Sequence, residues 1–249
     1  FGYFGGGNYP VKTTIERIDY LNDTVTASTK GPLDTAVLRS AATGNANFGY
    51  FGGGGWFPSG TSKVQRIDYS SDTATASLRG PLSSIRDYGA ATGNSDFGYF
   101  AGGWLSSQVS TVDRVDYSND TGTTPSKGPL SAAKREVGGT GNANFGYIGG
   151  GTPGDKTTVD RIDYSNDTAT ASPKGPMTAH NTGFGATGDS SFGYFGGGVS
   201  SGYTSVIDRI DYSNDTATMS PKGPLSAARY NLAATGARAN GFTVVGPAV

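Results

Sequence analysis

FGYFGGG, residues 1–7, opens the chain, and the same stretch returns as FGYFGGG at 48–54, FGYFAGG at 97–103, FGYIGGG at 145–151 and FGYFGGG at 192–198. Aromatic residues alternate with glycine and then meet a glycine run, the pattern of a short strand with an enforced stop. Recurrence every 47 to 49 residues overrides the domain count that 249 residues would otherwise suggest, because self-similarity at such a period marks one repetitive architecture. The repeats are 1–47, 48–96, 97–144, 145–191 and 192–240.

Each repeat holds four segments suited to extended structure. After FGYFGGG comes VDRIDY (159–164 in the fourth copy), with apolar and charged residues interleaved. SNDT (165–168) follows, a cluster whose side chains bond to nearby backbone and favour a tight turn. TATAS (168–172) reads as a third strand of threonines and small residues, and AATG (41–44, 90–93) as a fourth. No segment has a useful helical period. Four short strands repeated five times predict an all-β fold, a five-bladed β-propeller with four antiparallel strands per blade. The small residues of AATG suit the crowded innermost strand. A stacked solenoid would need atypical capping repeats, and the terminal copies here are as regular as the middle ones.

The unit also resembles the kelch repeat. FGYFGGG is similar to its double-glycine strand, IDYSNDT to its tyrosine–aspartate turn, and KGPLSAAR (222–229) to its proline-to-arginine segment, over all five copies. The tryptophan that kelch repeats carry shortly after the turn is replaced here by Ala or Thr. The resemblance implies that the double-glycine strand is second in each blade. NLAATG (231–236) is then expected to supply the innermost strand of the first blade and close the ring, removing open edges. GFTVVGPAV (241–249) reads as a degenerate sixth copy of strand two, acting as a strand or a linker, and the chain as an excerpt of something longer.

Two residues never change between copies: Arg17, Arg66, Arg114, Arg161 and Arg209, and two positions later Asp19, Asp68, Asp116, Asp163 and Asp211. Residues i and i+2 of a strand share a face, so these are expected to form a structural ladder between neighbouring blades. Five calcium sites are disfavoured by an arginine beside each carboxylate. The turn aspartates Asp23, Asp72, Asp120, Asp167 and Asp215 read as turn formers. The NDT match to the N-glycosylation pattern is that one turn copied four times.

Composition narrows the functions. Nineteen Lys and Arg balance 20 Asp and Glu, a net charge of −1, which offers no basic footprint for nucleic acid. There is no cysteine, a single histidine and no membrane-length apolar run. No nucleophile elbow or phosphate loop is present, so no catalytic residue, metal or cofactor is expected, and the protein is read as no enzyme. A propeller hydrolase built on a carboxylate pair is the enzymatic alternative, disfavoured because nearly every carboxylate belongs to the repeat.

Function is then expected where the copies differ. One variable stretch lies between strands two and three, and the other joins each blade to the next. Strand parity puts both on one face and the constant SND and GNAN turns on the opposite face. Candidate ligand-binding residues on the variable face are Tyr9, Trp56, Phe57, Arg86, Tyr88, Trp104, Arg135, His180, Tyr203, Arg229 and Tyr230, both tryptophans of the chain among them. Exposed aromatics flanked by polar groups suit stacking on sugars or a protein hot spot.

The whole-chain style also resembles repetitive structural proteins of marine cyanophages and related tailed phages. That resemblance implies a virion component, surface-exposed or tail-fibre-associated. Its partners would be a host-surface glycan or protein, or other virion subunits. The alternatives are a purely architectural virion module and a cellular or secreted kelch-type scaffold.

Overall fold

The computed structural model describes residues 1–7, 10–55, 60–154, 157–179 and 181–234. They form five antiparallel sheets arranged as the blades of a propeller. Blade 2 shows the plan, its strands Ala41–Gly44, Phe48–Gly52, Val64–Asp68 and Ser77–Arg79 lying in that order from the axis outward. Blade 4 (Gly138–Gly141, Phe145–Gly149, Val159–Asp163, Ser172–Lys174) and blade 5 (Gly185–Gly188, Phe192–Gly196, Ile207–Asp211, Ser220–Lys222) repeat it. Blade 3 has Ala90–Gly93, Phe97–Ala101 and Val112–Asp116, with Ser126 bridged to Asp113 in the fourth place. Blade 1 has Gly2–Gly5, Ile15–Ile18 and Ser28–Thr29.

Register confirms the phase. The AATG of one repeat pairs with the FGYFG of the next, Ala41 opposite Gly52 and Ala90 opposite Ala101, so each blade straddles two repeats. The innermost strands are tied to one another by threonine: Thr92 Oγ1 donates to the Thr140 carbonyl at 3.0 Å and Thr140 Oγ1 to that of Thr187 at 3.0 Å. Only a chain of small residues lets the backbones approach this closely.

The outer strand differs from expectation. Only the last residue of TATAS joins it; the strand is Ser172–Lys174, and Thr168 and Ala169 lie in the turn and bend before it. The cause is a competing partner in the neighbouring blade, since Ala171 N donates to the Pro129 carbonyl at 2.8 Å and Met219 N to that of Pro176 at 2.9 Å. The closing strand expected over 231–236 is not formed over 231–234, and 235–236, like 241–249, fall outside the described residues. Blade 1 accordingly has three strands among the described residues.

Between blades the core is a repeated layer. The two adjacent residues that follow the glycine of FGYF split, tyrosine facing the following blade and phenylalanine or isoleucine the preceding one, as Tyr50 and Phe51 do. Tyr50, Tyr99 and Tyr147 are fully buried, as are Val64, Val112 and Val159 beside them. Each of these tyrosines stacks on the tyrosine that closes VDRIDY in the next blade, for example Tyr99 on Tyr164 with centroids 4.8 Å apart. Offset stacking adds to the area buried.

Candidate functional site

Four described blade boundaries carry the same polar constellation. Arg17, Arg66, Arg114 and Arg161 each reach across and donate to a turn aspartate, Asp72, Asp120, Asp167 and Asp215, at 2.6 to 2.8 Å. The same carboxylate oxygen accepts from the hydroxyl of Tyr3, Tyr50, Tyr99 or Tyr147 at 2.9 Å. Lys30, Arg79, Lys127 or Lys174 approaches the same carboxylate. The expected Arg–Asp ladder therefore exists between blades, with a different partner. Asp68, Asp116, Asp163 and Asp211 instead cap the turn in their own blade, accepting from the N–H and hydroxyl of the serine two residues on. Asp19 does the same through Leu21 N. These carboxylates are scaffold.

A second set of polar pairs lies nearer the variable face. Arg86 meets Asp113 at 2.7 Å and Lys134 meets Asp160 at 2.9 Å, all four side chains almost fully buried. Arg86, read from sequence as a ligand residue, is thus a structural partner inside the protein. At the boundary of blades 1 and 2 the same columns are neutral, Val37 standing in that of Arg86 and Gln65 in that of Asp113, and Gln65 Oε1 accepts from Thr35 N at 2.8 Å. Asp113 accepts from Ser83 N in the same way at 2.8 Å.

The variable stretches meet one another, as strand parity predicts. Bridges join Lys12 to Val37, Asp87 to Trp104, Arg135 to Thr152 and Thr182 to Val199, each pairing a two-to-three loop with a blade-to-blade loop. Nearer the axis, one position per repeat takes positive φ: Arg39, Tyr88, Glu136, Gly183 and Asn231. Their backbones form a relay across the blades: Tyr88 N donates to the Arg39 carbonyl, Glu136 N to Tyr88, Gly183 N to Glu136 and Asn231 N to Gly183. Non-glycine residues held at positive φ carry strain that the surrounding bonds must sustain.

On this relay sits a cation–aromatic cluster. The Arg39 guanidinium lies 4.2 Å from the Tyr88 ring centre, and Arg135 lies 4.3 Å from Trp104 and 5.9 Å from Tyr88. Asp87 is buried beneath, 3.6 Å from Arg39, with Oδ1 making no hydrogen bond. Burial pushes its carboxyl above the ordinary range, with Arg39 pulling the other way. Trp104, Tyr88 and Arg135 are half-buried, so each keeps part of its side chain accessible while the rest is held by the protein. Arg39 belongs to the cluster but was not singled out from sequence; aligning the copies places it in the column of Tyr88, which is the signal that finds it.

The remaining candidates divide. Tyr203 and Tyr230 stack 4.7 Å apart at the surface of blade 5, 62% and 45% exposed, away from the Trp104 cluster in sequence and blade. Arg229 is exposed beside Ser226. Tyr9, Trp56, Phe57 and His180 lie outside the described residues. Among the described residues no three His, Cys, Asp or Glu side chains gather as a metal site requires, and no helix is long and apolar enough to cross a membrane.

No protein-family model matches the chain, and no curated protein does. Among solved structures, that of YjhT, a propeller, is similar: the match covers 94% of this chain and 83% of that one, with a TM-score of 0.75 and 11% identity. At that identity the likeness is one of fold, and the fold it supports is the all-β propeller of five blades described above.

Proposed function

We propose that this propeller is a non-enzymatic binding module whose variable face holds a host-surface glycan, as an exposed or tail-fibre-associated part of a phage virion. The observation that carries the binding reading is the Trp104–Arg135–Tyr88–Arg39 cluster on the variable face, set on backbone that four blades hold in place. Flat aromatic faces stack on the apolar faces of sugars, and guanidinium forks bond their hydroxyls. A rigid bed lowers the ordering cost of binding. The virion assignment rests on the resemblance of the repeats to repetitive structural proteins of tailed phages.

A purely architectural virion module is the rival. It would use the same scaffold, and the cluster would serve as packing between subunits. Binding of the whole protein to a glycan array and to candidate host cells, beside Trp104→Ala and Tyr88→Ala, separates the two. Binding lost in either variant supports the glycan reading, and no binding by the folded protein supports the architectural one.

A further inference from the structure

The two end blades present complementary halves of an interface that neither completes. Blade 5 carries the donor half: Tyr194, Arg209 and Lys222 stand where Tyr147, Arg161 and Lys174 stand in blade 4, yet among the described residues no carboxylate of a following blade meets them. Blade 1 carries the acceptor half: Asp23 occupies the column of Asp72 and Asp120 but is exposed, with no cation against it among the described residues. The apolar layer is split in the same way. Phe4 is 38% exposed where its counterparts Phe51, Phe100 and Phe195 are 7% exposed or less.

Close packing says the same. At Gly31, Gly80, Gly128 and Gly175 an added Cβ would land on a carbonyl oxygen of the next blade, whereas at Gly223 nothing lies within 4 Å. The second polar set is open too: Arg229 stands in the column of Arg86 and Lys134, and Glu16 in the column of Asp113 and Asp160. An opening of about 1120 Å³ lies along the axis, lined by Ala42, Ala91, Gly139 and Ala186 of the innermost strands and by the Gly2–Gly5 strand of blade 1, whose inner edge has no partner strand among the described residues.

We infer that the gap between blades 5 and 1 is a docking slot for a single further β-blade of this same repeat. Such a blade presents a turn aspartate and an acidic strand residue to Arg209, Lys222 and Arg229, and Tyr, Arg and Lys to Asp23. Residues 235–249 contain no Asp or Glu and cannot supply the first set. No single blade of a second copy can fill both sides, because in its blade 1 Arg17 is engaged by Asp72 and in its blade 5 the turn aspartate Asp215 is engaged by Arg161.

The test compares the full chain with a version lengthened by one internal repeat, a second copy of residues 145–191 placed between 191 and 192. Each is made with and without Asp23→Asn, and melting and sedimentation are measured. The slot predicts that the lengthened chain melts roughly 5 °C or more higher as a compact monomer, and that Asp23→Asn removes most of this gain. It also predicts that Asp23→Asn leaves the melting of the original chain unchanged. An original chain destabilised by Asp23→Asn as it is by Asp72→Asn closes directly, blade 5 onto blade 1, and overturns the inference. So does Asp23-dependent self-association of the original chain, or a lengthened chain that gains nothing.

Discussion

Arg66 of one blade donates to Asp120 of the next at 2.8 Å, and the oxygen it uses is the one that accepts from Tyr50. One turn aspartate thus fastens a strand, a neighbouring blade and a stacked aromatic pair at once. Removing it strands a guanidinium, a phenol and a second cation together, which makes the aspartate the weak point of each boundary. For Asp167→Ala we expect a loss of about 2–4 kcal/mol in denaturant melts, since Arg114, Lys127 and Tyr99 all lose their acceptor. Asp23→Ala should cost almost nothing in the same assay, its side chain being exposed.

The pair Arg86–Asp113 and its neutral counterpart Val37–Gln65 occupy matching places at adjacent boundaries. Arg86→Val alone leaves Asp113 buried without its cation and should cost about 3–5 kcal/mol. Adding Asp113→Gln recreates the blade 1 solution and should recover most of that loss. A double-mutant cycle measures the coupling, and additive single effects would contradict it.

Gly175 and Gly223 share a sequence position but not an environment. An added methyl at Gly175 meets the Ala217 carbonyl, and one at Gly223 meets open space. Gly175→Ala should therefore destabilise by roughly 1–3 kcal/mol or more through overpacking, while Gly223→Ala is neutral. Thermal melts of the two variants decide it.

Acid and alkali should act on different groups. Burial works against the Asp72 carboxylate, but bonds from Tyr3 and Arg17 outweigh it and hold its pKa below the ordinary value. The Ser70 and Ser118 bonds hold Asp68 and Asp116 low as well. A depressed folded pKa gives stability that is present above the unfolded value of about 4 and is lost as pH falls through the folded one. Stability should thus hold to about pH 5 and decline below about pH 4. The buried phenols shift the other way, Tyr69 up to about 12 by burial first, and Tyr50, Tyr99, Tyr147 and Tyr164 upward too. Their stabilisation is present below the unfolded value of about 10 and is lost as pH rises through the folded values. Near-ultraviolet phenolate absorbance of these tyrosines should appear together with unfolding, not before it.

Much of the architecture is legible in the repeats because the period and the small AATG strand leave few alternatives. Face partition follows from strand parity alone, and the Asp87–Trp104 bridge bears it out. The partner of Arg66 was not legible: Asp68 lies in reach along the strand, but its carboxylate is engaged by Ser70, and a turn 54 residues away supplies the acceptor. TATAS misleads because its alternation suits a strand, while the neighbouring blade claims its backbone instead. Within the candidate site, Trp104, Tyr88 and Arg135 were visible as variable residues. The burial of Arg86 was not, because it depends on Asp113 in the next blade, which no local pattern reports.

In the proposed function, one face of the propeller binds and the other is scaffold. The most direct measurement is calorimetric titration of the best glycan from an array against the intact protein, Trp104→Ala, and Asn94→Ala on the constant face. Trp104→Ala is expected to reduce affinity at least roughly tenfold, equivalent to about 1.4 kcal/mol, while Asn94→Ala binds like the parent. Equal binding by Trp104→Ala, or loss confined to Asn94→Ala, would contradict it.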